Sequence, residues 1–156
     1  PLGARRYTPP MPTPQPVPGD GRIRQGDRDK AHRPLPVAVR REAFEAGLTA
    51  YARGDYFEAH EALEPAWMGT DDMAERALHQ GLIKVAAGYV HAVRGNPAGI
   101  VKNLEGARRH LALSEPAARA WGVDIPTLLA DLDARLAEPD VIATTPAPVI
   151  RRTPSA

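Results

Sequence analysis

Apolar residues recur at helical spacing through the middle of the chain, from residue 37 to residue 137. In the first window, Phe44, Leu48 and Tyr51 fall on one side of a helix predicted over about residues 37–53. Later windows predict helices over about residues 56–67, 73–94, 97–113 and 126–137, with a shorter element at 116–121. No window shows convincing strand alternation. The pattern predicts an all-α fold, a compact antiparallel bundle of four to five helices with disordered tails.

Short turn segments separate the predicted helices. Gly54 and Asp55 end the first helix, and Asp55 is a natural N-cap for the second. After a short loop, Asp71 or Asp72 caps the third helix. Gly95-Asn96-Pro97 combines a C-cap glycine with a proline suited to the first turn of the next helix. Because the connections are this short, consecutive helices are expected to run antiparallel.

Proline dominates both ends of the chain. Residues 1–36 hold nine of the seventeen prolines, at a spacing that forbids helices and sheet ladders and favours extended polyproline II. Their apolar content is too low to repay ordering, so we predict a disordered arm at 1–36 and a similar disordered tail at 138–156. The helical domain then spans residues 37–137. The alternative interpretation of the arm is a ligand for an SH3-type or WW-type domain.

Charge is distributed unevenly between the arm and the domain. Residues 1–36 hold seven Lys/Arg against three Asp/Glu, whereas residues 37–137 hold eleven against fourteen. A mildly acidic domain argues against nucleic acid as a partner, because a nucleic-acid-binding protein is expected to present a basic face.

Composition also limits the chemistry and the location of the protein. The chain has no cysteine, which excludes disulfides, thiol nucleophiles and Cys–zinc sites and is compatible with the cytoplasm. No apolar run approaches the roughly 20 residues needed to span a bilayer. The longest candidate, residues 82–93, is interrupted by Lys84 and His91. We therefore expect a cytoplasmic protein without a membrane partner.

The second predicted helix carries polar residues on a face that should turn inward. His60, Glu64 and Trp67 fall at i, i+4 and i+7 and therefore share one stripe. Polar groups on a buried face are costly unless they are paired. The structural interpretation is that His60 and Glu64 form a pair that orders the helix, while Trp67 is an anchor of the core.

The third predicted helix has a similar stripe, made of Gln80, Lys84 and His91. If the second and third helices form an antiparallel hairpin around residue 70, His60 faces Gln80 and Tyr56 faces Lys84. This pairing predicts a polar seam of four side chains, His60, Glu64, Gln80 and Lys84. His91 joins the seam only if the fold brings it back. Lys84 is interpreted either as a lysine whose stem packs on apolar surface or as a buried functional ammonium.

The order His60-Glu61-x-x-Glu64 also allows a metal interpretation. His60 and Glu64 lie one helical turn apart and can bind one divalent ion, with Glu61 as a base. The match to the H-E-x-x-H zinc helix is partial, because a glutamate stands where the second histidine is expected. A third ligand would come from His79 or His91. A polar structural network requires fewer coincidences than this site.

Four segments between residues 40 and 113 form a specific combination. They are Phe44-Glu-Ala-Gly47, Gly54-Asp-Tyr-Phe-Glu-Ala-His60-Glu-Ala-Leu-Glu64, Trp67 and Gln80-Gly-Leu-Ile. Together they resemble the DUF309 family of small helical bacterial and archaeal proteins. The resemblance implies a compact helical bundle. It also brings the family's frequent label, predicted metal-dependent hydrolase, which rests on the His/Glu motif and carries no established activity.

The family motif can be transferred to this sequence residue by residue. It falls on Glu58, His60, Glu61, Glu64, Trp67 and Gln80. Lys84 occupies the position where the family usually has a second glutamine. A cation at that position would repel a bound metal and favour an anion or an internal Lys–Glu pair.

Two functions are therefore expected. The favoured one is a non-catalytic binding or scaffolding module, whose pocket holds a small anion or a protein partner. Its expected lining is Glu58, His60, Glu64, Trp67, Gln80, Lys84 and His91. The alternative is a metal-dependent hydrolase that takes a divalent metal ion as cofactor, with Glu61 as its base. The Gly- and Ala-rich third helix suits close packing within one bundle or across a homodimer.

Overall fold

The computed structural model describes the backbone of residues 22–25 and 28–31 and the whole of residues 33–154. Within residues 33–154 the fold is an all-α bundle, as predicted. Each helix begins and ends within two residues of its predicted bounds. The helices are α1 Val37–Ala52, α2 Tyr56–Met68, α3 Met73–Val93, α4 Pro97–Leu111, α5 Glu115–Trp121 and α6 Ile125–Leu136, followed by a 3-10 turn at Pro139–Val141.

Most of the predicted arm at 1–36 lies outside the described residues. Inside it, two short strands, β1 Arg22–Gln25 and β2 Arg28–Ala31, pair antiparallel, with Arg22 opposite Ala31. The sequence did not predict this hairpin, because charged residues interrupt the alternation of apolar and polar positions that marks a half-buried strand.

Polar caps fix where the helices start. Asp72 accepts a hydrogen bond from the backbone N–H of Glu75 at 2.8 Å, and Asn96 and Asp124 cap α4 and α6 in the same way. Asp55 differs from its prediction. It stands at the N-cap position of α2, but its carboxylate binds the guanidinium of Arg53 instead of a helix N–H.

Helix α3 lies at the centre of the bundle and packs against α2, α4 and α5. Glycines allow the close approach that the sequence predicted for it. A Cβ added to Gly81 would lie 2.5 Å from Cδ2 of Leu111 on α4, and one added to Gly88 would lie 3.2 Å from Leu104. The close packing of this helix therefore takes place within the chain.

The C-terminal segment packs on the bundle over residues 139–154, in place of the disorder predicted for 138–156. Ile142 is buried, and the hydroxyl of Tyr51 donates a 2.6 Å hydrogen bond to the carbonyl of Pro148. Arg135 donates to the carbonyl of Pro146, and Thr153 pairs through its backbone with Gly122. Proline lacks a backbone donor but keeps its acceptor, so donors from the helices can hold a Pro-rich segment that has no secondary structure of its own.

No helix within residues 33–154 is both long enough and apolar enough to cross a bilayer.

Candidate sites on the second, third and fourth helices

The three charged residues of the His-Glu-x-x-Glu motif lie together on α2. We call His60, Glu61 and Glu64 the α2 cluster. Their potential ligand atoms all lie within 4.8 Å of one another, and Nδ1 of His60 is 3.3 Å from Oε1 of Glu61. His60 and Glu64 are half-buried, and Glu61 is exposed.

The amphipathic pattern of α2 explains this placement. Ala59, Leu63, Ala66 and Trp67 are the residues that it buries in the core. His60 and Glu64 follow Ala59 and Leu63 by one position, so they fall at the margin of the buried face. The inward orientation predicted for their stripe is therefore only partial.

The other residues of the predicted pocket separate. Trp67 is fully buried in the core, as its structural interpretation expected, and its indole N–H has no partner among the described residues. Glu58 is exposed and binds Arg53 at 2.7 Å. Gln80 is partly exposed, and the structure describes no hydrogen bond between it and His60.

The seam predicted between α2 and α3 does not include Lys84. The ring of Tyr56 packs against that of Tyr89, with centroids 5.6 Å apart, and not against Lys84. Part of this offset arises because helical side chains lean towards the N-terminus of their own helix, which the simple pairing around residue 70 ignored. Lys84 lies instead on the side of α3 that faces α4, against Gly106.

Lys84 and His91 both line a cleft of about 480 Å³ between α3 and α4, which we call the α3–α4 cleft. Its lining contains three cationic side chains, those of Lys84, Lys102 and Arg109, and no carboxylate. Burial, together with Arg109 and Lys102, lowers the pKa of Lys84. Burial and the charges of Lys84 and Arg109 likewise lower the pKa of His110. The cleft is therefore a region of uncompensated positive charge.

A second ionic group lies inside the bundle, where the sequence predicted none. We call Arg40, Glu75 and His79 the buried network. Arg40 binds the carboxylate of Glu75 through two hydrogen bonds, of 2.8 and 3.0 Å, and also donates to the backbone carbonyl of Leu35. His79 is completely buried, with its Nε2 3.5 Å from Glu75 Oε2, and its ring meets those of Phe44 and Trp121 edge-on.

The buried network shifts two pKa values. Burial alone would raise the pKa of Glu75, but the contacts from His79, Arg40 and Thr70 outweigh it and lower the pKa to about 2. Burial lowers the pKa of His79, although the nearby carboxylate partly opposes this effect. Neither ring nitrogen of His79 has a hydrogen-bond partner among the described residues.

One feature of the sequence could have indicated the buried network. Glu75 and His79 are four residues apart, the same separation as His60 and Glu64. His79 was considered only as a third metal ligand, and this role does not fit its burial among aromatic rings. Among the described residues, the group of possible metal ligands comprises the α2 cluster and includes neither His79 nor His91.

The comparisons with known proteins agree with the motif. No curated protein and no solved structure matches the chain. One family model does match, over residues 44–103, and it is described as a domain of unknown function, DUF309. The match contains α2, α3 and the α2 cluster, which confirms the resemblance drawn from the sequence. Over residues 44–103, the chain is therefore similar to the DUF309 family.

Proposed function

We propose that this protein is a non-catalytic binding module whose α2 cluster holds a divalent metal ion. The observation that carries the proposal is the convergence of one imidazole and two carboxylates, with ligand atoms within 4.8 Å of one another. Imidazole and carboxylate are the usual ligands of Zn²⁺, Mn²⁺ and Ni²⁺ in proteins.

The dimensions of the α2 cluster suit such an ion. Ligand atoms about 2.1 Å from a metal are at most about 4.2 Å apart, so a small side-chain rotation would bring all three onto one ion. Glu61 is exposed and His60 is half-buried, which leaves their side chains room to rotate. Three protein ligands also leave coordination positions for water or a partner.

The position of Lys84 supports a cation at this site. From the sequence, a lysine in the same pocket argued against a metal. In the structure Lys84 lines the α3–α4 cleft, where its charge adds to those of Lys102 and Arg109. The electrostatic objection to a metal therefore loses its basis.

The surroundings of the α2 cluster favour binding over catalysis. The α3–α4 cleft does not include His60, Glu61 or Glu64 in its lining. Catalytic sites generally exclude water around the reacting groups, whereas Glu61, the candidate base, is exposed.

A metal-dependent hydrolase is the second candidate, and one contact favours it. Glu61 approaches His60 to 3.3 Å, so a potential general base lies beside the potential metal ligands. A divalent ion held by His60 and Glu64 would supply Lewis-acid chemistry. Glu61 would then accept a proton at its carboxylate.

Metal analysis tests the binding proposal directly. Protein purified without chelator is analysed for metals and then melted with added Zn²⁺, Mn²⁺ or Ni²⁺. We expect about one bound ion per chain, and about 2.7 kcal/mol of stabilisation at a free metal concentration one hundred times Kd. His60→Ala and Glu64→Gln should remove both signals. Glu58→Gln is the matched control, because Glu58 lies on the same helix but binds Arg53.

Two outcomes would decide against this proposal. A wild-type protein that stays metal-free and does not shift its melting temperature with any of the three ions refutes a metal site. The wild-type protein could also hydrolyse ester substrates in a metal-dependent way. If this activity disappears in Glu61→Gln while the metal stays bound, the hydrolase proposal replaces the binding proposal.

A further inference from the structure

Two glycines of α4 make room for two polar side chains of α3. A Cβ at Gly106 would lie 2.9 Å from Cδ of Lys84, and a Cβ at Gly99 would lie 2.5 Å from Cγ and Nδ1 of His91. Lys84 and His91 are seven residues apart on α3, as are Gly99 and Gly106 on α4. The two antiparallel helices therefore present both side chains along one line, in slots that any larger α4 residue would fill.

Positive charge converges on these slots without an internal counter-charge. Within residues 33–154, none of Lys84, Lys102 and Arg109 forms an ion pair. Arg108, on the same helix, differs because it binds Asp133 at 2.5 Å. Lys84 is half-buried, whereas Lys102 and Arg109 are exposed. Cations that lack carboxylate partners repel one another, and a bound anion would relieve this repulsion.

Hydrogen bonds orient His91, Asn96 and Asn103 in the α3–α4 cleft. The side-chain oxygen of Asn96 accepts from the backbone N–H of Gly99 at 3.2 Å, so its amide nitrogen faces Nδ1 of His91, also at 3.2 Å. Nδ1 therefore acts as the acceptor, and the proton of the neutral ring lies on Nε2. The His91 ring thus has an N–H to offer, and Asn103, which binds the carbonyl of Gly99 at 2.8 Å, also lines the cleft.

We propose that the α3–α4 cleft binds the phosphoryl group of a small phosphate ester, with Lys84, Lys102 and Arg109 supplying charge and His91 a directional donor. A phosphoryl dianion matches several converging cations better than a single carboxylate does, because it presents three acceptor oxygens. A cleft of about 480 Å³ also has room for the remainder of a small molecule. This site is separate from the α2 cluster and opposite to it in charge.

An NMR titration with inorganic phosphate at constant ionic strength tests the proposal and locates the site. We expect saturable shifts of the amide signals of Gly99 and Gly106, competition by sulfate, and no saturable response to acetate. Lys84→Met keeps the aliphatic stem against Gly106 and removes the charge. It should raise the Kd for phosphate at least tenfold.

Arg119→Met is the matched control for charge, since Arg119 is highly exposed on α5 and lies outside the α3–α4 cleft. It should change the Kd less than twofold. Gly99→Ala should also weaken binding, because the His91 ring must leave its slot, and a thermal melt verifies that this variant folds.

Three results would overturn the proposal. They are the absence of saturable shifts in the wild-type protein, shifts that map away from α3 and α4, and equal losses in Lys84→Met and Arg119→Met. The last result would mean that phosphate binding depends only on the net charge of the protein. Because the probe is an anion, failure here leaves the metal measurement on the α2 cluster unaffected.

Discussion

Glu75 and His79 on α3 have the same separation as His60 and Glu64 on α2, yet the two pairs lie in opposite settings. The side chains of Glu75 and His79 are 8% and 0% exposed. Arg40 holds Glu75 through two hydrogen bonds, and two aromatic rings enclose His79. The His60 side chain is 32% exposed, and the neighbouring Glu61 is 54% exposed.

The difference shows that separation along a helix does not determine the role of a His–Glu pair. A charge inside the bundle has lost its water and needs permanent partners, so the buried network is suited to fixing the structure. His60, at the margin of a helix face, keeps part of its water, and a ligand can reach it. The predictions below test this contrast, starting with the largest expected effect.

The largest effect is expected for the loss of Glu75. Glu75→Ala leaves Arg40 and His79 without their shared carboxylate and should lower the free energy of unfolding by about 3–5 kcal/mol. Chemical denaturation measures this change. The double variant Arg40→Met/Glu75→Leu removes both charges and should recover a large part of the loss. A loss below about 1 kcal/mol in Glu75→Ala would show that the buried network does not stabilise the fold.

Acid should weaken the buried network in two stages. The folded pKa of His79 lies below its ordinary value of 6.5, so the unfolded chain takes up a proton first and stability falls as the pH drops below about 6.5. Glu75 has a folded pKa of about 2 against an ordinary 4.5, so its contribution is complete above pH 4.5 and is lost as the pH falls towards 2.

Unfolding curves recorded between pH 3 and pH 8 measure both stages. His79→Leu should flatten the profile between pH 6.5 and 4.5 and leave the decline below pH 4.5. An unchanged profile in this variant would assign the upper stage to other groups.

The sequence predicted the helices well because their signals are local. Gly95, Asn96 and Pro97 mark the boundary between α3 and α4 unambiguously, and apolar periodicity gave the lengths. The C-terminal segment was predicted as disordered because its prolines exclude regular structure. Its order depends on donors outside it, such as Tyr51, ninety-seven positions from Pro148, and Arg135, eleven positions from Pro146.

The candidate sites were predicted less completely than the fold. The proximity of His60, Glu61 and Glu64 followed from the sequence alone, since they lie about one helical turn apart and no tertiary contact is needed to bring them together. Their role as a ligand site stays a prediction. Lys84 was assigned to the wrong side of α3, because a stripe along a helix does not tell which neighbour it faces. Gly99 and Gly106, which belong to α4, leave the space that Lys84 and His91 occupy, so this stripe of α3 faces α4.

The buried network was missed for the same reason. Its key contact joins Arg40 on α1 to Glu75 on α3, and these two residues are thirty-five positions apart in sequence. Nothing in the local pattern marks Arg40 as different from the other arginines of the chain.

The smallest effect is expected for His60. If His60 and Glu64 were a buried structural pair, His60→Ala would cost several kcal/mol. Because the His60 side chain is 32% exposed at the edge of α2, we expect a loss of at most about 1 kcal/mol in metal-free protein. In the same denaturation measurement, saturating metal should raise the free energy of unfolding of the wild type and leave that of the variant unchanged. A large loss without metal would mean that the α2 cluster stabilises the fold in the way the buried network does. A small loss, combined with a lost response to metal, is the result expected of a ligand site.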